Sequence, residues 1–326
     1  MKNKYLIFVA TLIFVLPNLV AANATKAKEV ESWLSKMHRA AHMANYQGVF
    51  VYGQKNNLSS MKIVHSTDGT GERERLLSLD GTGREVIRTK NSVTCILPDS
   101  KSVVVEKKRP KSNFPPAFPV QINELSKNYD FFLSGKEMVA GQVTQKVMIK
   151  PKDKYRYGHA LWIDVNSGLL LKTHLMNENG QTVEQFMFTQ IEFMKKIPEK
   201  LLKPSISGDN FTWYTSPEKM TNKVKLETNW AVKNLPNGFK ADMNRKHVMP
   251  RSGIAMEQLM YSDGLSSVSI FIEKQSQKND QLIGNSQVGA INACGRLLDD
   301  GIHVTVVGEV TQAAVKKICD SVYLKK

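Results

Sequence analysis

From Gln47 onward the chain is a succession of short runs, each a few residues long, that alternate apolar and polar side chains and end at Gly, Asn or Asp. A period of two marks strands that bury one face, and such brief punctuation leaves room only for hairpin turns. Strands are expected at Gln47 to Tyr52, Ser59 to Ser66, Glu72 to Leu79, Arg84 to Thr89, Ser92 to Leu97 and Lys101 to Glu106. An antiparallel meander follows. Two turns repeat a word, Asp68-Gly-Thr-Gly71 and Asp80-Gly-Thr-Gly83; each joins strand to strand with no helix start behind it, so they read as hairpins and not as phosphate cradles. Strands resume at Gln142 to Lys150. They continue through a hairpin between Asp153 and Lys172, with Asp164 to Gly168 as its turn, and finish at Thr182 to Phe193. That hairpin carries Tyr155, Tyr157, Leu161 and Trp162, an aromatic face suited to a barrel wall or a greasy binding surface. By alternation Tyr155 and Tyr157 share one face and Trp162 lies on the other, unless Gly158 bulges.

Other textures interrupt the strands. Lys26 to Asn45 repeats apolar residues at helical spacing, through Val30, Trp33, Leu34, Met37, Ala41 and Ala44. Lys107 to Pro119 is rich in proline and basic residues and reads as an irregular loop. Its Phe114 and Phe118 suit either a lid entering a greasy cavity or two rings tucked onto the surface. A short helical piece is expected around Val120 to Tyr129. Ile197 to Thr228 reads as an interdomain connection with a short strand at Asn210 to Tyr214. Beyond it, strands are expected at Lys240 to His247, Ala255 to Tyr261, Ser266 to Lys274, Ile283 to Cys294 and His303 to Gly308, with a closing helix from Thr311 to Tyr323. Asp263-Gly264 and Asp299-Asp-Gly301 supply hairpin turns.

The start of the chain indicates the compartment. Lys2 and Lys4 precede an apolar run from Tyr5 to Leu16, and Ala22-Asn23-Ala24 offers the small-x-small pattern of a cleavage site, so residues 1–24 read as a signal peptide. Roughly 300 residues then remain, room for two domains. The expected division is a large domain over 25–197, a linker over 198–228 and a smaller α+β domain over 229–326. The net charge is +15, and loss of Lys2 and Lys4 takes two from it. Export and the lack of any nucleic-acid module argue against nucleic acid. An acidic partner or anionic lipid headgroups suit that charge better, beside the plainer reading of a basic, soluble surface. Cysteines stand at 95, 294 and 319, so one is left over in an oxidising compartment. Cys294 and Cys319 either pair across a strand and the last helix or stay reduced, because spacing alone does not fix their separation. Cys95 is expected to be a buried thiol.

The chain carries almost no signature of catalysis. No Gly-x-Ser-x-Gly, His-Glu-x-x-His, Cys-x-x-Cys or Walker motif is present. His38 and His42 stand four apart on a helix but lack the glutamate and third ligand of a zinc hydrolase. His159 sits in a strand, where packing explains it better than acid–base work. No cofactor, metal or enzyme activity is expected.

One resemblance does emerge. Tyr155-Arg-Tyr157-Gly158-His-Ala-Leu161-Trp162-Ile-Asp164, then Gly168-Leu, then Gly180 through Glu184-Gln185-Phe186, resemble the RseB/MucB family of periplasmic negative regulators of the envelope-stress sigma factor. Arg84-Glu85-Val86 and Tyr129-Asp130-Phe131 extend the match. Leu235-Pro236-Asn-Gly238-Phe239, Tyr261-Ser262-Asp263-Gly264-Leu265 and Val307-Gly308-Glu309 carry it into the C-terminal part. The resemblance implies a mainly β fold, an unclosed N-terminal barrel with helices across its concave side, like the periplasmic lipoprotein carriers, and a small α+β domain. It implies binding to the periplasmic domain of a membrane anti-sigma factor of the RseA/MucA kind, protection of that domain from regulated proteolysis, and release by lipopolysaccharide or mislocalised lipoprotein. Tyr155, Tyr157, Leu161, Trp162 and Phe186 would then be wall or packing residues of a lipid-sized concavity. Cys294 and Cys319 lie outside the family pattern, and Ser266-Ser267-Val268 replaces a more aromatic strand. A lipid or lipoprotein carrier and a structural envelope protein are the competing readings, and a homo-oligomer is compatible with all of them.

Overall fold

The computed structural model describes residues 17–54, 57–69, 71–107, 118, 122–216, 228–248, 255–274, 281–299 and 301–325. Most of the expected leader and Phe114 lie outside them. Helix α1 (Pro17–Met43) comes first. It is followed by β1 (Tyr46–Gln54), β2 (Asn57–Asp68), β3 (Gly71–Ser78), β4 (Glu85–Arg88), β5 (Ser92–Leu97) and β6 (Ser102–Lys107). A 3-10 turn at Leu125–Lys127 then leads to β7 (Tyr129–Val139), β8 (Gln142–Pro151), β9 (Gly158–Asp164), β10 (Leu170–Met176) and β11 (Thr182–Phe193). After a second such turn at Glu199–Leu201 comes β12 (Thr212–Ser216), and all 12 strands form one sheet in the order β12-β6-β5-β4-β3-β2-β1-β11-β10-β9-β8-β7. Two meanders are therefore joined at β1 and β11. The sheet curls without closing, and β7 and β12 are its edges. Among the described residues no helix is long and apolar enough to cross a membrane.

Strand register decides which side chains face inward. Phe50 pairs with both Met61 and Phe188, Thr173 with both Phe186 and Leu161, and Leu161 with Val147, so these residues share the concave face. On that face lie Val30, Leu34 and Met37 of α1, all buried. The expected apolar stripe thus docks where the sheet is concave; truncating Leu34 to Ala there would cost roughly 2–5 kcal/mol. Gly168 shows how close the approach is. It takes φ +83° in the β9–β10 turn, and a Cβ there would lie 2.9 Å from the Lys36 carbonyl oxygen.

Several expectations are corrected here. The helical piece at Val120 to Tyr129 shrinks to one turn, and Tyr129 instead opens β7, an edge strand that sequence reading passed over. Phe131 and Leu133 of that strand face the core while Phe132 faces outward, so the alternation was present but short. The connection expected over 198–228 is anchored through its first half. Ile197 and Leu202 pack on Val64, the buried Glu85 accepts from the Ser205 and Ile206 amides at 3.0 and 3.2 Å, and β12 pairs in parallel with β6. Arg75 also reaches Glu85 and the Leu201 carbonyl. Cys95, expected to be buried, is only half-buried.

The C-terminal part builds a second core. Strands β13 (Trp230–Val232), β14 (Lys240–Val248), β15 (Ala255–Ser262), β16 (Ser267–Lys274), β17 (Gly284–Val288), β18 (Ile291–Leu298) and β19 (Ile302–Gly308) are followed by α2 (Gln312–Cys319) and β20 (Val322–Leu324). Six of them form a sheet in the order β14-β15-β16-β19-β18-β17, and β13 pairs with β20. The strand expected at Ile283 to Cys294 is two strands, because Gly289 with φ +60° turns the chain between them. The closing helix ends early, at Cys319, and the residues after it become β20. Ala314, Val315 and Ile318 of α2 pack on Ile270, Val304 and Val306. Cys294 and Cys319 are joined as a disulfide between β18 and α2, with Cα atoms 6.2 Å apart.

Candidate functional site at the domain junction

The loop from Lys152 to Tyr157, between β8 and β9, has no partner strand and is shaped by its own side chains. Asp153 turns back to accept from the Tyr155 amide at 2.9 Å. This swings Arg156 out of the large sheet and into the small domain. Its guanidinium is fully buried, 3.3 Å from Asp263 Oδ2 and 3.4 Å from Asp153 Oδ1, and it donates to the Asn237 carbonyl at 2.5 Å. The faces of Tyr129 and Phe239 stand 5.4 and 5.2 Å from its central carbon, one ring from each domain. A buried guanidinium needs such neighbours, since an unpaired charge there would be very costly.

Asp263 serves two structures at once. Its Oδ1 accepts from the Leu265 and Ser266 amides at 2.9 and 2.7 Å and so makes the β15–β16 turn. Its Oδ2 receives the Tyr129 hydroxyl at 2.9 Å as well as Arg156. Burial first, and then the Asp263 charge, push the Tyr129 phenol well above its ordinary range, so it remains a donor. Gly264 takes φ +95° in that turn and lies against Leu125. Gly238, at φ +85°, lets the 237–239 turn reach the large domain, where a Cβ would collide with Asn128.

Further bonds join the two domains. Asn292 donates to the Tyr157 hydroxyl at 2.9 Å, and burial raises that phenol to about 12. Thr311 precedes α2 at its N-cap position, yet its hydroxyl caps nothing there and donates to the Lys154 carbonyl at 2.7 Å. The Ala290 amide donates to Glu184 at 3.0 Å.

The structure therefore separates residues that sequence reading grouped. Leu161 and Phe186 do line the concave face, and Phe186 meets Phe50 and Phe188 edge-on at 5.5 and 5.4 Å. Trp162 lies on the opposite face, between Lys146 and Lys172, and donates to Glu137 at 2.7 Å. Tyr155 and Tyr157 are in no strand, so alternation does not govern them. Tyr155 packs on the small domain's core and Tyr157 on Leu175 and Ala290. Phe118 is tucked down, its ring 5.2 Å from that of His159 on the concave face. Together with α1 and Ile122 it fills the hollow where acyl chains were expected. Tyr261 is half-buried against the small domain's core. Sequence reading missed Arg156, Tyr129, Asn292 and Thr311. A charged residue framed by two tyrosines next to a glycine was the available signal.

Among the described residues no group of three or more His, Cys, Asp or Glu is placed to hold a metal ion. The His38 and His42 rings meet edge-on at 4.9 Å, and His42 pairs with Glu72 at 2.7 Å.

Sequence profiles of the MucB/RseB N-terminal and C-terminal domains match residues 29–206 and 224–323. The chain belongs to the MucB/RseB family. It is 31% identical over 319 residues to the Sigma factor AlgU regulatory protein MucB of Pseudomonas aeruginosa, covering 96% of each chain. It superposes on MucB in its complex with MucA from the same organism at a TM-score of 0.70 and 28% identity, over 91% of this chain and 99% of that one. A second structure, of MucB in complex with MucA(peri), gives 0.69 at the same identity and coverage. Some of the residues on which the sequence resemblance rests meet at the junction: Tyr129, Tyr155 to Tyr157, Gly238-Phe239 and Asp263-Gly264.

Proposed function

We propose that this chain is a periplasmic negative regulator that binds the periplasmic domain of a membrane anti-sigma factor, shields it from regulated proteolysis and is released by lipopolysaccharide or mislocalised lipoprotein. One observation carries the reading. The chain reproduces both domains of MucB in the form that holds MucA, and a buried set of contacts fixes one domain against the other. A partner that spans two domains needs that fixed geometry, because unrestrained domains would have to be ordered at the moment of binding. The basic surface suits an acidic partner segment. No part of this reading calls for catalysis.

A carrier is the weaker reading, since α1, Phe118 and Ile122 occupy the hollow a carrier would use. The deciding experiment presents the purified chain with the periplasmic fragment of the anti-sigma factor encoded by the same genome, together with the protease that cuts it. Stable complex formation and slower cutting are expected. Cutting at an unchanged rate would refute the regulatory role.

A further inference from the structure

A groove on the outer face of β7–β10, opposite α1, is distinct from the concavity. Its floor is Phe132, Met148 and Met176, and it encloses about 510 Å³, within the range of roughly 300–1,000 Å³ typical of small-ligand sites. Phe132 pairs across the sheet with Met148 and remains 42% exposed. Gly158 sits opposite Met176 in the lining, where a Cβ would lie 3.2 Å from the Pro151 ring. Lys150, Lys152 and Lys154 line one side. Lys152 is held by Asp130 and the Ser126 carbonyl, while Lys150 and Lys154 stand exposed at the rim. Of the carboxylates near the groove, Asp153 is turned to Arg156 and Asp130 is taken up by Lys152, which leaves Glu178 on the lining opposite Lys150 and Lys154. An apolar trough with a cationic rim suits a chain of methylenes ending in an anion.

The groove's wall and the domain junction are one piece of chain. Residues 150–154 form the wall, and the same loop then supplies the Asp153 contact to Arg156, the Lys154 carbonyl that receives Thr311, and Tyr157 against Asn292. An occupant that pushes Lys152 to Lys154 aside must move that seat.

We propose that this groove binds the acyl chain of a single-chain anionic amphiphile, with its headgroup at Lys150 and Lys154, and that filling it loosens the loop's seat on the small domain. The inference rests on the regulatory reading for its biological consequence alone; the binding site stands on its own geometry.

The test is calorimetry on the full-length mature chain with palmitoyl lysophosphatidylglycerol below its micellar concentration. Palmitoyl lysophosphatidylcholine and glycerophosphoglycerol serve as the zwitterionic and chain-free controls. The anionic lipid should bind most tightly. Phe132→Asp and the pair Lys150→Glu with Lys154→Glu should each weaken it by about tenfold or more, with circular dichroism and the thermal midpoint confirming the fold. Unchanged affinity in those variants, or equal binding of the chain-free headgroup, would overturn the site. The coupling has its own readout: Tyr157→Phe removes one junction bond, and linkage then requires the lipid to bind several-fold more tightly. Equal affinity would overturn the coupling. Binding of the anti-sigma fragment without lipid reports separately on the regulatory reading.

Discussion

The Arg156 guanidinium and the Asp263 carboxylate stand 3.3 Å apart with both side chains excluded from solvent, and they belong to different domains. Removing one partner of such a pair strands the other charge in a dry site, at a cost of about 3–5 kcal/mol. Arg156→Met is therefore expected to undock the domains and split thermal unfolding into two transitions. Combining it with Asp263→Leu should restore part of the coupling, because no charge is then left unpaired. Calorimetry of the two variants checks this, and a single unshifted transition in Arg156→Met would contradict it.

The Cys294–Cys319 bridge closes a loop with a sequence separation of 25. Constraint of the unfolded chain by a loop of that size amounts to about 3 kcal/mol. Cys294→Ser with Cys319→Ser should lower the stability of the small domain and speed hydrogen exchange there more than in the large sheet. Because α2 and β18 also present Thr311 and Asn292 to the large domain, affinity for the anti-sigma fragment should fall along with it. Denaturation followed separately in each domain by hydrogen exchange resolves the two effects.

Glu85 is fully buried and gathers Arg75 with the amides of Ser205 and Ile206. Glu85→Ala leaves Arg75 without its carboxylate and two amides without an acceptor, so a loss of about 3 kcal/mol or more is expected. The segment from Pro198 to Ser216 should become open to proteases while the rest of the sheet resists them. Mapping the first cleavage sites tests this.

Two buried groups give stability an opposed dependence on pH. Burial, working against the attraction of Arg88, raises Glu74 to about 7 from 4.5. The folded state then holds a proton that the unfolded state releases, so this contribution is complete below about pH 4.5 and is lost as pH rises through about 7. Burial lowers His159 to about 4 from 6.5, so its contribution is complete above about pH 6.5 and is lost as pH falls through about 4. Glu74→Gln should remove a decline of roughly 3 kcal/mol between those limits of Glu74. His159→Phe should flatten the acid limb. Urea denaturation across pH 4 to 8 measures both.

Strand periods make most of the large sheet legible in the sequence, because each meander strand buries one face and ends at a residue suited to a turn. The edge strand β7 was obscured because an apolar residue, Phe132, stands at its outward position and makes Phe131-Phe132-Leu133 an unbroken apolar run. The β17–β18 turn was obscured because Val288, Gly289, Ala290 and Ile291 continue an apolar run. The junction was hardest to read. Arg156 and Asp263 stand far apart in sequence, and Asp263 already had a local explanation as the first residue of a turn. Nothing in a period or a spacing reports a side chain that crosses between two domains.

The pairing of β1 with β11 joins residues 46–54 to residues 184–193. As the exported chain emerges the first meander can form hairpin by hairpin, but one side of β1 waits for well over a hundred residues before its neighbour exists. Loop closure over that distance makes the joining of the two meanders the slow step of folding, and until then β1 offers an open edge to any passing strand. A chain built this way depends on being kept apart from its copies until its last large-sheet meander has arrived.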